Sequence, residues 1–400
     1  MKVVLITTTT PASDNIRGTS ALQYHLMIER DPSIDIIIYT YNFNKLSEEK
    51  IRTIEDELHV TINLLPKPKW FAWVLRFHLL ILRIFLKFPL LSYVKLSTPK
   101  IKEIRALDPD GIWVYGEEIS KIMMQFPEYK RIHLGPDSEA LYYYRMLKQR
   151  FVIKSRLMFW RQAIMYPKYL ALERQYSGDK NATYFVVGKE DCNFIKNINP
   201  ECNVQFLVHP HYNLYQQKLV QIKFNNPIRL LIAGQNNLYM EQDSNEIFNE
   251  LICSRSDIDK LKKEFVITFL GKGWENHVIA LRNAGWIVEH IKFAPDYKEE
   301  VCKHDIQISP ISVGTGTKGK VLDAMANGLL MIGSKYAMEN ISIVDGESAV
   351  VYQRPTDILK VLFDVLHNKE KYEGMAKKGM ECVLEAHKRS VASKKLFASF

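Results

Sequence analysis

The stretch "DIQISPISVGTGTKGKVLDAMANGLLMIGS", residues 305–334, decides how the chain is read. "DIQISP" has the character of a buried strand that Pro310 ends. The polar loop "ISVGTGTKGK" follows, then the helix-like "VLDAMAN" and a short apolar run after Gly328. Strand, loop, helix and strand in this order make a βαβ unit of a parallel sheet. Gly314, Gly316 and Gly319 permit close backbone approach to a ligand. A helix start presents unbonded N–H groups and a partial positive charge, which favours phosphate. Lys318 and Lys320 add full charges, and Thr315 and Thr317 alternate with Gly314 and Gly316. Asp323 lies one turn inside the helix, where a carboxylate can bind a ribose diol. The plainer reading is a glycine-rich turn with solvated lysines. GxxxxGK[ST] is absent, so this is not a Walker loop.

The same alternation extends outward. "KVVLITT" (2–8), "IDIIIYTY" (34–41), "VTINLLP" (60–66), "DGIWVYG" (110–116), "RIHLG" (131–135), "ATYFVVG" (182–188) and "VQFLVHP" (204–210) read as strands, with helical segments between them. The pattern restarts at "IRLLIAG" (228–234) and continues through 265–273, 285–293, 305–310, 329–334 and 349–353. Such apolar, β-branched runs suit strands covered on both faces. The expected fold is α/β: two Rossmann-like, doubly wound domains facing a central cleft, with ligands beyond the carboxyl ends of the strands. The expected domains are 1–215 and 216–385, with a tail at 386–400 that packs back on the first domain. The polar stretch 212–227 is the expected hinge. A chain of 400 residues suits two domains of this kind.

Composition narrows the class. The chain is 47% hydrophobic and 25% charged, as a globular protein is. Five cysteines, at 192, 202, 253, 302 and 382, form no CxxC pair and are odd in number, which points to a reducing compartment. The opening "MKVVLITTTT" is too short in its apolar part for a signal peptide, so a cytoplasmic location is expected. No Cys/His cluster has zinc spacing, and no metal site is expected. "DPD" (108–110) mimics a metal motif but precedes a strand as a turn does. "HPH" (209–211) reads as a packed or cleft-lining pair.

The net charge of +9 is concentrated. Residues 66–105 carry nine Lys/Arg and one acid, and residues 145–172 carry seven and none. A one-sided field suits an anionic partner. Within the first segment, "WFAWVLRFHLLILRIFLKFPLLSYVKL" (70–96) is long enough to span a bilayer. Lys69, Arg76 and Arg83 recur every seven residues, however, with Lys87 four further on and His78 nearby. Each charge at the centre of a spanning helix costs about 2.5–3.5 kcal/mol. The spacing predicts a helix lying in the interface of an anionic membrane, up to Pro89. The alternative is a helix buried on the first sheet with a solvated basic edge. No nucleic-acid motif accompanies the charge, and nucleic acid is not expected.

Asp323-Ala324-Met325-Ala326-Asn327-Gly328 resembles the "E-A-M-A-x-G" end of the nucleotide-sugar motif of GT-B glycosyltransferases, specifically retaining family 4, with Asp for Glu. Residues 310–328 are nearer to a branch that reads "P…G-x-G-x-K-x-K-V-L-E-A-M-A-x-G". The acid that the commoner motif places eight residues earlier is replaced by Thr315. "ITFLGKGWENHV…GWIVEHIKFAPDYKEEVCKHDIQISP" is similar to the family's run from "G-x-G" through "G-F-V-x-D" to "D-x-x-x-x-P". "HLGPDSEALYYYR…YLALERQYSGDKNATYFVVGKED" is similar to its "D-x-x-S…R…E…D-x-V-x-x-V-S-x-x-D".

The resemblance implies a retaining, metal-independent glycosyltransferase without a cofactor, using a nucleoside-diphosphate sugar (UDP-sugar as the family-level expectation). It implies Lys318 and Lys320 at the leaving group and Asp323 on the ribose or donor sugar. Asp137 would act near the acceptor. Donor contacts would come from Gly234, Gln235, Gly271, Gly273, Phe293, Ala294, Gly314, Thr315, Gly316 and Thr317. Gly18 and Ser138 would lie on the acceptor side. The family's Arg and Lys after the first strand of the second domain are missing, since "AGQNNLYMEQ" puts Gln235 near the Arg position. With the basic segment 66–105, the expectation is transfer to a lipid-linked or polysaccharide acceptor by an enzyme held peripherally at the inner leaflet. A nucleotide-sugar epimerase of the same fold and a non-catalytic membrane-associated binding subunit are the alternatives. Glu173 reads as a partner for nearby basic residues, with a donor-side role as its alternative.

Overall fold

The computed structural model describes residues 1–15, 19–77, 79–149, 156–212, 214, 222–253 and 258–400. Gly18, His78 and half of the expected hinge (213 and 215–221) lie outside the described residues. The chain divides into two compact units. The first comprises Met1–Lys148, Ser155–Pro210 and Arg389–Phe400; the second is His211–Lys388, with Gln149.

Unit 1 holds strands β1 (Lys2–Thr7), β2 (Asp35–Thr40), β3 (Thr61–Leu64), β4 (Gly111–Tyr115), β5 (Lys130–Leu134), β6 (Ala182–Val186) and β7 (Val204–Phe206). They form one parallel sheet in the order β3-β2-β1-β4-β5-β6-β7. β1 and β4 are buried along nearly their whole length, as strands covered by helices on both faces must be. The last helix, Arg389–Phe397, belongs to this unit. Phe397 meets the Trp113 ring edge-on at 5.8 Å, and the Lys395 ammonium donates to the Phe206 carbonyl at 2.6 Å.

Unit 2 holds β8 (Ile228–Ala233), β9 (Phe265–Leu270), β10 (Ile287–Ile291), β11 (Ile306–Ser309), β12 (Leu330–Gly333) and β13 (Val350–Val351). Their order is β10-β9-β8-β11-β12-β13, again parallel. In both sheets the strand order reverses beside the first strand. The switch points lie between β1 and β4 and between β8 and β11, where open α/β sheets bind ligands.

The segment 70–96 departs from expectation. It is not one helix but a short α-helix, Lys69–Arg76, and two 3-10 stretches, Leu79–Phe85 and Leu90–Tyr93. Tertiary partners take the backbone groups a continued helix would use. The Lys168 ammonium donates to the carbonyls of Ile84 (3.0 Å) and Leu86, and the Tyr93 hydroxyl accepts from the Phe88 N–H at 3.3 Å. Glu118 accepts from the Leu91 N–H at 2.9 Å, and Pro89 has no N–H to offer. Among the described residues, no helix is long and apolar enough to cross a membrane.

Candidate functional site

In unit 2 the loops after β8, β9, β10 and β11 lie along one edge of the sheet. The Gly234 N–H donates to the Leu270 carbonyl (2.9 Å), the Gly271 N–H to Ile291 (2.8 Å) and the Asn236 N–H to Lys272 (2.9 Å). The Ser312 N–H reaches across the switch point to the Tyr239 carbonyl at 2.6 Å. Gly234, Gln235, Gly271, Gly273, Phe293, Ala294 and the loop 310–318 are thereby brought to the same end of the unit. Gln235 and Phe293 are exposed there. Gly271 is obligatory: its φ is +143°, and a Cβ would stand 2.1 Å from the Gly234 carbonyl oxygen.

The loop after β11 carries Gly316 at φ +63° and enters the helix Gly319–Ala326 without a side-chain cap. The Val321 and Leu322 N–H groups bond back to the Lys318 carbonyl. The amides of Gly319 and Lys320 find no acceptor among the described residues. That is the pair of donors a helix start offers an anion. The two lysines differ. The Lys318 ammonium folds back on its own loop, donating to the carbonyls of Thr315 and Gly316 (3.1 Å). Lys320 has an exposed stem, but its ammonium lies 4.8 Å from the centre of the Tyr297 ring, where burial lowers its pKa and the charge of Asp323 opposes that shift. Thr315, at the position of the missing acid, is 9% exposed. Burial, then the charge of Asp323, pushes the Tyr297 hydroxyl well above its ordinary range.

Asp323 is 3% exposed, and its Oδ1 accepts the Tyr212 N–H at 2.8 Å. One carboxylate oxygen therefore anchors the chain as it enters unit 2.

In unit 1 the chain leaves β5 and turns through Asp137, Ser138 and Glu139 into the helix Glu139–Lys148. The Ser138 Oγ accepts the Leu141 N–H at 3.1 Å, as a helix cap does. Two buried carboxylates hold this turn. Glu173 accepts from the Ser138 hydroxyl (2.8 Å) and the Ala140 N–H (3.1 Å), and Asp191 accepts the Ser138 N–H (2.8 Å). Glu173 thus serves hydroxyl and amide donors; the basic partners read for it in the sequence are not the groups it meets. Burial pushes Glu173 up to about 8, with those hydrogen bonds opposing the shift and the charge of Asp191 adding to it.

Sequence reasoning missed Glu117. It follows Gly116 at the carboxyl end of β4, beside the loop after β1; a Cβ on Gly116 would lie 3.4 Å from the Thr8 Oγ1. His133, whose pKa burial lowers to about 4, is a neutral ring that donates from Nε2 to the Gly116 carbonyl at 2.9 Å. Burial, and to a lesser degree the charge of Glu118, raises Glu117. The signal available was an acid directly after a buried strand, but only strand order puts it at a switch point. Elsewhere, "DPD" is a turn: Asp108 has φ +45°, and Asp110 accepts the Lys2 N–H at 2.6 Å. His209 and His211 are buried.

Unit 1 also presents an apolar surface. Trp73, Phe77, Ile81 and Phe85 are 62%, 51%, 69% and 84% exposed, far more than large apolar side chains usually are. Arg76, Arg83 and Lys87 are exposed among them.

Residues 255–396 match a family model described as "Glycosyl transferase-like". A search of curated proteins finds no sequence match. Among solved structures, the chain is similar to HepE from Anabaena in complex with UDP, at 9% identity and a TM-score of 0.62, covering 100% of this chain and 99% of that one. It is similar to sucrose-phosphate synthase from Thermosynechococcus elongatus at 10% identity and a TM-score of 0.66, with both chains covered in full. It is also similar to WaaG, a glycosyltransferase involved in lipopolysaccharide biosynthesis, at 12% identity and a TM-score of 0.57, with 98% of each chain covered. The fold is GT-B, two Rossmann-like units each built on a parallel sheet, and residues 255–396 are similar to the glycosyl transferase-like family.

Proposed function

We propose that this protein is a glycosyltransferase that moves a sugar from a UDP-sugar to a lipid-linked or polysaccharide acceptor. The observation that carries this reading is the edge of unit 2 where a glycine loop opens a helix at the switch point, with the Gly319 and Lys320 amides unengaged and two lysines beside them. A departing diphosphate needs its growing charge stabilised, and fixed N–H dipoles with one or two cations can do that without a metal. Lys320 supplies a cation that the charge of Asp323 favours against burial. Lys318 shapes the loop through Thr315 and Gly316. The resemblance to retaining family 4 favours retention at the anomeric carbon without a protein nucleophile. Asp137, held by its neighbour Ser138 on Glu173 and Asp191, takes the acceptor's proton. HepE with bound UDP, and WaaG in lipopolysaccharide biosynthesis, favour this donor and this class of acceptor.

The exposed apolar residues at 73–85, interspersed with cations, support a peripheral position on the anionic inner leaflet. Each basic side chain near such a surface contributes about 1 kcal/mol.

Purified protein incubated with UDP-sugars should release UDP, slowly to water and faster with acceptor, and EDTA should leave the rate unchanged. Binding of UDP without turnover of any donor would instead establish the non-catalytic binding subunit. Loss of turnover in EDTA, restored by a divalent ion, would refute the metal-independent reading.

A further inference from the structure

Resting on that reading of unit 2, we infer that Ser312, Asp243 and Tyr352 form a positioning brace that holds the two loops of the donor site in register. Ser312 lies two residues before Gly314 and is 7% exposed. Its N–H bonds the Tyr239 carbonyl, and its Oγ accepts the Asp243 N–H at 3.0 Å. Tyr239 ends the loop that starts at Gly234, and Asp243 lies in the first turn of the helix Glu241–Ile252 that follows it. The loop after β8 is therefore bonded to the loop after β11 at two points across the switch.

The brace then continues to the chain just after β13. The buried Tyr352 hydroxyl donates to the Asp243 Oδ2 at 2.6 Å. Tyr352 follows β13, and its N–H bonds the Gly333 carbonyl at the end of β12 at 3.0 Å. Ser334, the next residue, donates its hydroxyl to the Ile311 carbonyl and accepts the Ala337 N–H at 3.1 Å. The residues just before the glycines are thus gripped from β8, β12 and β13 at once.

The chemistry explains why a site without the family's Arg and Lys pair still needs this. Backbone N–H groups bind an anion well only when they are fixed in advance, because reorienting them at binding costs free energy. A loop with Gly314, Gly316 and Gly319 has little stiffness of its own. The Ser312–Asp243 and Asp243–Tyr352 links are buried, and buried polar groups that satisfy one another hold a single arrangement.

UDP binding by isothermal calorimetry tests the brace, with ligand-free melting measured alongside. Tyr352→Phe removes one hydroxyl and keeps the ring; Ser312→Ala removes the loop's side-chain link. Each should raise the UDP dissociation constant about tenfold, equivalent to about 1.4 kcal/mol. The double variant should lose little more than either alone, as members of one network do. Asp243→Asn keeps an oxygen for the Tyr352 hydroxyl and should bind UDP better than Asp243→Ala. Tyr372→Phe is the control for mere structural loss: its hydroxyl also donates to a carboxylate, Asp364 at 2.6 Å, but between two other helices. It should leave UDP affinity unchanged. Wild-type affinity in Tyr352→Phe and Ser312→Ala, or an equal loss in Tyr372→Phe, would overturn the brace alone. A wild-type protein that does not bind UDP overturns the donor-site reading and the brace with it.

Discussion

At the end of β5 the chain turns through Asp137, Ser138 and Glu139, and at the end of β11 it turns through residues 310–318. Both turns open a helix at the carboxyl edge of a parallel sheet. The first is gripped by buried carboxylates: Glu173 and Asp191 accept its hydroxyl and amide hydrogens, and Glu117 stands nearby. The second is gripped by neutral groups and its own lysine, leaving amides and a second lysine for an anion. One architecture thus carries acids at the edge of one unit and cations at the edge of the other. The fold supplies the location; the side chains supply the sign.

The sharpest break in that comparison is Gly271→Ala. The new Cβ would meet the Gly234 carbonyl at φ +143°, so unit 2 should lose about 3 kcal/mol or more in urea denaturation. An unchanged midpoint would mean that the two loops are not packed as described.

Next is the pair of lysines. Lys320→Ala should cut kcat about 100-fold, the scale expected for one lost leaving-group stabiliser. Lys318→Ala should chiefly raise the donor KM, since its ammonium bonds its own loop. Full turnover in Lys320→Ala would remove it from the leaving-group role. In unit 1, Asp137→Asn should slow transfer to acceptor about 10-fold or more while leaving donor hydrolysis by water intact. Equal loss of both would place Asp137 elsewhere.

A pH series sharpens the acidic side. Glu173 has a folded pKa of about 8 against an ordinary 4.5. The folded state therefore holds its proton more tightly than the unfolded state does. Its contribution favours folding at low pH, declines as pH rises from about 4.5 to about 8, and is flat beyond. Urea midpoints at pH 5 and pH 8.5 should show wild type losing more stability than Glu173→Gln; parallel curves would refute the shift. The smallest change expected in the fold is at the apolar surface. Trp73→Ser with Phe85→Ser should keep the melting temperature and reduce cosedimentation with phosphatidylglycerol vesicles. Unchanged sedimentation would count against the membrane contact.

Much of this was legible before the structure. All thirteen strands read from apolar runs are present, because a strand buried on both faces must be apolar along its length. The loop 310–318 was legible too, since glycines and lysines before a helix carry their chemistry locally. Asp323 shows the limit. Its partner, the Tyr212 N–H, lies 111 residues away, and no local pattern encodes it.

The sequence alone therefore determined the elements, their alternation into two α/β units, and the residue types offered to a phosphate. Periodicity and turn chemistry act over a few residues and leave their mark in the chain. Tertiary structure decided which strand ends are neighbours. It put Glu117 at a switch point, turned the segment 79–93 into 3-10 stretches through Lys168 and Glu118, and joined Ser312 to Asp243 and Tyr352. Those choices rest on hydrogen bonds between residues far apart in sequence. They form only once sheet order has brought their partners together and burial has made an unpaired polar group costly.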